Sequence, residues 1–339
     1  MKTGIRTQSR SWLAAVACLC ALFHATWAGA PNPAPSGLPP RVVAMTFDDL
    51  PLASVTQLDA AARRNVTTRL LESLVSHKVP AIGFVNEYGL YGYERESRGA
   101  PDPNGISLLQ MWLRAGLELG NHTFAHTDLH ATSVAAFEQD VIRGEAITGQ
   151  LLQQQGLRLR YFRHPYLSTG RDLATRRDVE RFLAGRGYRV APVTVDNEDY
   201  LFAAAYSRAA ERGDERMMRR VGAAYMRFTE RAFAYSERLS VALFRREIKQ
   251  VVLLHANTLN ADYFDELARM LQKRGYSFIS LHGALRDKAY SSGNTYTGAV
   301  GITWLARWAV TRGLKTVDNV LDDFPEVPEF VVKAADGAM

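Results

Sequence analysis

Cysteine is nearly absent. The 339 residues contain two, Cys18 and Cys20, and both fall in an N-terminal segment with the features of an export signal. Beyond that segment there is no disulfide and no thiol nucleophile to consider. Charge of one sign is also scarce. The chain has 41 Lys and Arg against 35 Asp and Glu. Residues 1–30 hold three of the basic groups, Lys2, Arg6 and Arg10, and no acid, so the remainder sits near +3 rather than +6. No basic stripe with interleaved aromatics occurs, which argues against a nucleic-acid partner. No internal repeat of solenoid length is present.

Long apolar runs are missing as well. "WLAAVACLCALFHATW" is interrupted by His24 and is short for a membrane span. With a basic start and the small residues "AGA" (Ala28 to Ala30) behind it, residues 1–30 read as a signal peptide cut near Ala28 or Ala30. Pro31 is a poor residue just after a cut; an uncleaved anchor and a lipid on Cys18, in "AVAC", are the alternatives. The mature chain then has no membrane span and works outside the cytoplasm, in a periplasm or the extracellular space. "PNPAPSGLPP", residues 31–40, reads as an extended proline-rich linker.

From Arg41 the pattern alternates between strand and helix. "RVVAMTF", "PAIGFVN", "LELGNH", "RYFRHP", "YRVAPVTVD", "QVVLLH" and "YSFISL" read as seven strands. Helices are expected from Leu58 to Lys78, through "SLLQMWLRAG", from Val134 to Gln155, around "RRDVERFLAGRG" and over "YFDELARMLQKRG". Such alternation predicts an α/β fold whose parallel sheet is covered by helices. Seven units at this length point to a closed or nearly closed barrel, with its chemistry where strands end and loops begin. A helical insertion is expected at about 201–249. There Tyr225, Phe228, Ala232, Tyr235 and Leu239 form an apolar stripe at helical spacing, which reads as packing, with a lid as the sharper alternative. A C-terminal extension, 290–339, carries Trp304 and Trp308 on one helix face, again for packing.

Several strand ends carry unusual polar residues. "TFDD" ends the first strand in adjacent carboxylates, Asp48 and Asp49. They repel one another unless a cation separates their roles. "NHTFAHTDLH" follows the third strand with His122, His126 and His130, whose spacing of four puts neighbours on one face of a helix or helical turn. The pair His122 and His126, or the pair His126 and His130, could share an ion. Two imidazoles and a carboxylate with an open position make a catalytic zinc-type site. One aspartate would be the ligand and the other a general base. Arg163 in "RYFRHPY" could hold a carboxylate by paired hydrogen bonds. "VDNEDY" offers Asp196 and Asp199, which also read as helix caps. His255 in "VLLHAN", if paired with a carboxylate, would stay protonated near neutral pH.

In order, "TFDD", "HTFAH", "RHPY", "DNEDY" and "LLH" resemble the five motifs of the polysaccharide deacetylases, the NodB-homology fold of carbohydrate esterase family 4. The resemblance spans about residues 41–285, within a domain expected at 41–289. It implies a distorted (β/α)7-type barrel and an exported, metal-dependent hydrolase that removes acetyl groups from a carbohydrate. It implies Asp48 as base, with Asp49, His122 and His126 as ligands of a divalent metal. Zinc is the first expectation, and cobalt, nickel and manganese are alternatives. It further implies that Arg163 steadies Asp48, that the Tyr166 backbone N–H assists the oxyanion, and that His255 is the acid with Asp196 as its partner. His130 becomes a structural or outer residue. The expected substrates are acetylated glycans of peptidoglycan, chitin-like or xylan-like type. Leu50 stands where the family usually has glycine, the glycine often seen near the third motif is missing from "RHPYLSTG", and Tyr200 replaces the usual tryptophan. All three alter the groove wall. The rival readings are an amidase for a small N-acyl or cyclic substrate and a non-catalytic carbohydrate-binding module.

Overall fold

The computed structural model describes residues 41–91 and 100–337. The proposed leader, the linker and both cysteines lie outside these residues. Among the described residues, no helix is long and apolar enough to cross a membrane.

Strand β1, Arg41–Leu50, is the hub of the sheet. It pairs in parallel with β2 (Ile82–Val85) on one edge and with β7 (Gln250–His255) on the other. Val43 is paired on both sides at once, with Gln250 and with Phe278 of β8 (Tyr276–Phe278). Strand β8 therefore shares the edge that β2 takes over from Thr46 onward. Outward from β2 run β3 (Glu118–Asn121), β4 (Tyr161–Phe162) and β5 (Arg189–Val190); β6 (Val195–Asp196) lies outside β7. Every pairing is parallel, so all strands end on the same rim.

The expected strand "YRVAPVTVD" proves to be two, β5 and β6, at opposite ends of the strand order. Residues 191–194 join them. Ala191 N–H donates to the Phe162 carbonyl on one edge, and Thr194 N–H to the Val251 carbonyl on the other, at 2.8 and 2.9 Å. Between them Pro192 has no N–H to give to a ladder. The sheet thus curls until four residues span its gap, a barrel that is distorted and incompletely hydrogen-bonded.

Helices α1 (Ala60–Ser76) and α2 (Pro103–Arg114) cover the sheet. Each begins on an aspartate, Asp59 or Asp102, whose carboxylate accepts a backbone N–H of the first turn. The helix expected from Val134 to Gln155 breaks into α3 (Val134–Arg143) and α4 (Ala146–Gln153). Gly144 marks the break: a Cβ there would lie 2.6 Å from the Thr123 carbonyl carbon. The buried Glu87 carboxylate accepts the N–H groups of Ile147 and Thr148 at the start of α4, where the helix dipole favours a negative charge.

Next come α5 (Leu173–Gly185), then α6 (Asp199–Glu211) and α7 (Glu215–Phe244), which fill the segment expected as a helical insertion, and α8 (Thr258–Lys273). The stripe from Tyr225 to Leu239 is buried, as its spacing predicts. Short α9 (Leu281–Ala284) precedes the tail helices α10 (Trp304–Thr311), α11 (Val317–Asp322) and α12 (Glu329–Ala335). In α10, Trp308 packs edge-on against Phe244 and Tyr290.

Phe47 of β1 sits at the centre of the main core, with ring centroids 5.5 Å from Trp112 and 5.9 Å from Phe264. It fixes α2 and α8 to the hub strand just before the acidic pair. Phe47→Ala is expected to cost about 3–5 kcal/mol, measured by urea unfolding. A loss below about 1 kcal/mol would show that this packing does not organise the hub.

Candidate metal centre and active site

The polar residues at the rim converge because the strands that carry them are neighbours. Asp48 of β1 and His255 of β7 are register partners. His122 directly follows β3, and Arg163 directly follows β4. Arg163 is fully buried and its guanidinium donates to three different groups. Nη1 reaches both Asp48 oxygens at 3.1 and 3.3 Å, Nη2 reaches Thr46 Oγ1 at 2.8 Å, and Nε reaches the Ala191 carbonyl at 2.8 Å. Burial lifts Asp48 to about 6 even though Arg163 and His255 pull it down. That value suits a group that must take up a proton near neutrality.

Asp49 meets imidazoles only, one of which, His122, also lies 3.8 Å from Asp48 Oδ2 through its Nε2. At φ 59 Asp49 occupies the left-handed region, so its carboxylate turns away from that of Asp48. Oδ1 lies 3.6 Å from His122 Nε2 and 3.6 Å from His126 Nε2. It is buried and accepts no hydrogen bond. One donor atom from each of Asp49, His122 and His126 can be chosen so that all lie within 4.8 Å of one another. Bonds of about 2.1 Å to a shared tetrahedral ion would hold such donors about 3.4 Å apart. The residues therefore fit a divalent cation. His122 Nδ1–H donates to the Arg163 carbonyl at 2.8 Å, leaving Nε2 free as the ligand atom. Burial and the neighbouring His126 push His122 down to about 3, so the imidazole is neutral, as a ligand must be. Burial also raises Asp49, but the three imidazoles around it outweigh that and hold it below the usual carboxylate range.

The histidines do not lie on a helix. They belong to the irregular segment after β3, which turns through left-handed residues at Thr123 (φ 65) and His126 (φ 54). The Asn121 side chain accepts the Thr123 N–H at 2.7 Å, and the buried Asp140 side chain accepts from Ala125 N–H and Thr127 Oγ1. These bonds, not helical periodicity, bring His126 back beside His122. His130 is carried elsewhere, and its Nδ1–H donates to the Ala299 carbonyl at 3.1 Å.

The partner of His255 is Asp199, not Asp196. His255 Nδ1–H donates to Asp199 Oδ1 at 2.7 Å, and its backbone N–H donates to Oδ2 at 2.8 Å. Asp196 instead accepts the Glu198 N–H at 3.1 Å, forming a local turn. Glu198 lies in the left-handed region (φ 51), and that kink carries the next residue, Asp199, back beneath His255. Asn257 and Asn260 also donate to Asp199 Oδ2, at 3.2 and 2.6 Å. Tyr225 of α7 donates to Asn260 Oδ1 at 2.7 Å, so the insertion supports the site from behind. Neither asparagine stands out among the motifs of the sequence. Their signal was their spacing of three at the start of a helix, where one would cap and the other would face the same carboxylate. Burial opposes charge on His255, but Asp199, Asp49 and Asp48 outweigh it and raise the imidazole to about 10. His255 Nε2 lies 3.9 Å from Asp49 Oδ2, on the cavity side.

Tyr166 and Leu167 are both left-handed, each at φ 54. Among the described residues, six of the eight non-glycine residues with positive φ belong to this rim, which marks it as the strained part of the fold. His164 is stacked beside Phe137 and buried. Burial, then Arg307 and Arg176, push it down to about 3, so it is a neutral packing residue. Two clefts meet at the centre. One, of 610 Å³, is bounded in part by Tyr166, Asp196, Glu198 and Ala299 to Gly301. The other, of 460 Å³, is bounded in part by Leu52, Val55, Leu201 and Ala204. They share Asp49, His126, Tyr200 and His255.

Comparison with known proteins bears out the family resemblance drawn from the motifs. Residues 36–182 match the family model described as polysaccharide deacetylase. A chitin deacetylase of Colletotrichum lindemuthianum is 30% identical over 161 residues, 48% of this chain and 54% of that protein. A chitin deacetylase of a Pestalotiopsis species is 29% identical over 201 residues, 54% of this chain and 56% of that protein. The chain thus spans about half the length of these curated relatives. Among solved structures, a family 4 carbohydrate esterase from Streptomyces lividans in complex with acetate overlays with TM-score 0.46 at 20% identity, covering 72% of this chain and 95% of that one. A CE4 family pseudoenzyme from Bacillus anthracis overlays with TM-score 0.48 at 16% identity, covering 73% of this chain and 66% of that one.

The geometry predicts which side chains bind an ion. At a free zinc concentration a hundredfold above the dissociation constant, the wild-type chain should gain about 2.7 kcal/mol of stability. Asp49→Ala or His126→Ala should abolish the gain. His130→Ala should keep it. Titration calorimetry and thermal melts check this, and loss of the gain in His130→Ala with the gain kept in His122→Ala would move the site to the pair His126 and His130.

Proposed function

We propose, on the premise that residues 36–182 belong to the polysaccharide deacetylase family, that this chain is an exported, metal-dependent hydrolase that removes acetyl groups from an N- or O-acetylated carbohydrate. The observation that carries this reading is the unequal treatment of two adjacent carboxylates. Asp48 is gripped by a buried guanidinium, while the buried Oδ1 of Asp49 faces two imidazole nitrogens without a hydrogen bond. Binding a sugar requires no such division; hydrolysis does.

Nitrogen and carboxylate donors suit zinc, with cobalt, nickel and manganese as alternatives. A divalent ion at Asp49, His122 and His126 supplies Lewis-acid polarisation of an acyl oxygen and a more acidic water. The remaining steps belong to the chain. Asp48, held by Arg163, takes the proton of the attacking water as its oxygen joins the acetyl carbon. The Tyr166 N–H donates to the oxyanion that develops, a fixed dipole aimed where charge appears. His255, kept protonated by Asp199, gives its proton to the departing sugar nitrogen or oxygen as the bond to the acetyl carbon breaks. Acetate and the deacetylated sugar leave, with no covalent enzyme intermediate. The two clefts that share Asp49, His126, Tyr200 and His255 leave room for a chain to extend on both sides. That favours a glycan over a small cyclic amide. The leader read in residues 1–30 fits a substrate in a cell wall or outside the cell.

An acetate-release screen tests this on chitin oligomers, peptidoglycan, acetylxylan and small N-acyl amides. The expected outcome is release from at least one glycan, lost with chelator and restored by zinc. Cleavage of the small amides alone would replace the reading with the amidase alternative. Asp48→Asn should keep zinc but lose about 10²- to 10⁴-fold in kcat. Asp199→Asn should lose activity by a similar factor, while Asp196→Asn should retain more of it. The reverse order would reject the His255–Asp199 pairing.

A further inference from the structure

The tail beyond Tyr290 lies outside the residues that match the family model, yet it returns to the rim. Ala299, Val300 and Gly301 line the larger cleft. Gly301 lies so close to the Tyr166 carbonyl oxygen that a Cβ at this position would overlap it. Trp304 N–H donates to the Val193 carbonyl at 2.7 Å, in the segment that joins the two sheet edges. Arg307 of α10, 1% exposed, then reaches under the turn that follows β4. Its Nε donates to the Ile302 carbonyl at 2.9 Å, Nη1 to Thr169 Oγ1 at 2.6 Å, and Nη2 to the Leu167 carbonyl. From α5, Arg176 donates to the carbonyls of Asn294 and Tyr296 and ties the same tail down at its start.

These contacts meet at two consecutive residues in the left-handed region, Tyr166 and Leu167. Bulky side chains stay there only where their surroundings over-determine the backbone. A guanidinium is suited to this, because its planar fork fixes several acceptors in direction as well as distance. Stability alone is a poor reason for this residue. A buried cation is costly, and among the described residues Arg307 meets no carboxylate, only neutral oxygens and the rings of Trp304 and Tyr296, 4.6 and 5.2 Å from its guanidinium carbon. Burial and the nearby Arg176 pull Arg307 down to about 9, which leaves it charged at neutral pH.

We propose that Arg307 is a positioning residue for the hydrolysis. By gripping Leu167 and Thr169, it holds the Tyr166–Leu167 turn so that the Tyr166 N–H faces the reacting carbonyl, which makes the C-terminal extension a working part of the active site. The inference rests on the deacetylase reading for its catalytic consequence, and on the packing alone for its structural one.

The test uses the full chain loaded with zinc, as wild type, Arg307→Lys, Arg307→Met and Gly301→Ala. Acetate release gives kcat and KM, zinc content is measured on the same samples, and residue-level hydrogen exchange follows the amides of 166–169. In Arg307→Met, kcat should fall about a hundredfold, with one zinc retained and KM changed by no more than about threefold. Arg307→Lys, which keeps a charge but not the fork, should fall between it and wild type. Exchange at 166–169 should quicken. If Arg307→Met does not fold, Gly301→Ala, which keeps the guanidinium but crowds the Tyr166 carbonyl, must show the same loss confined to kcat. An unchanged kcat, or a fall that only tracks loss of zinc, overturns the proposal. If the wild type releases no acetate at all, the deacetylase reading has failed. The positioning claim is then judged by exchange, and unchanged protection of 166–169 in Arg307→Met overturns it.

Discussion

Two adjacent carboxylates, at the end of the strand on which the sheet is centred, set the terms for the rest of the molecule. Like charges so placed destabilise a fold unless each meets its own cation. The solution here is asymmetric. A fully buried guanidinium from the end of β4 takes Asp48. A left-handed kink turns Asp49 towards two imidazoles from the segment after β3. The asymmetry gives two neighbouring acids unlike properties, with one raised to about 6 and the other held below the usual carboxylate range, which is what the proposed base and ligand roles require.

Everything around the pair keeps that asymmetry in place. The curl of the parallel sheet puts the ends of β4, β3, β1 and β7 on one rim. A second tier then orients the groups that touch the cavity. The Arg163 carbonyl fixes the His122 ring, and Asp199 fixes His255. Asn257 and Asn260 fix Asp199, and Tyr225 of the helical insertion fixes Asn260. The C-terminal extension does the equivalent on the far side through Gly301 and Arg307. Both segments read from sequence as packing do pack, but each also ends in a hydrogen bond one or two side chains away from the candidate site. Strain concentrates at the same rim, where such bonds can sustain it.

Much of this was legible in advance, because the information was local. Apolar runs ending in Asp48 and Asp49, in His122, in Arg163 and in His255 announce parallel strands with polar ends. The alternation of strand and helix predicts the architecture that is observed. Where structure and local pattern differ, a non-local contact overrules the pattern. "YRVAPVTVD" has the composition of one strand, but its halves are claimed by opposite sheet edges, through Phe162 and Val251. The helix from Val134 breaks at Gly144, where the absence of a Cβ lets the Thr123 backbone pass close, and the distant Glu87 carboxylate accepts the N–H groups that open the next helix. His122 and His126 meet as periodicity would have them meet, but for another reason: side chains of Asn121 and Asp140 fold an irregular loop. Asp196 and Asp199 look equivalent in "DNEDY", and only the left-handed turn at Glu198 decides which one reaches His255.

By itself, then, the sequence determined the inventory and its order: a parallel α/β chain, the polar residues at its strand ends, and the family whose motifs they match. These follow from side-chain chemistry and from patterns a few residues long. Tertiary structure alone decided the pairings, because hydrogen bonds and ion pairs depend on where the curled sheet and its kinks bring distant backbone together. That is why Asp199 rather than Asp196 holds the histidine, and why a buried arginine near the end of the chain comes to rest beneath a turn formed 140 residues earlier.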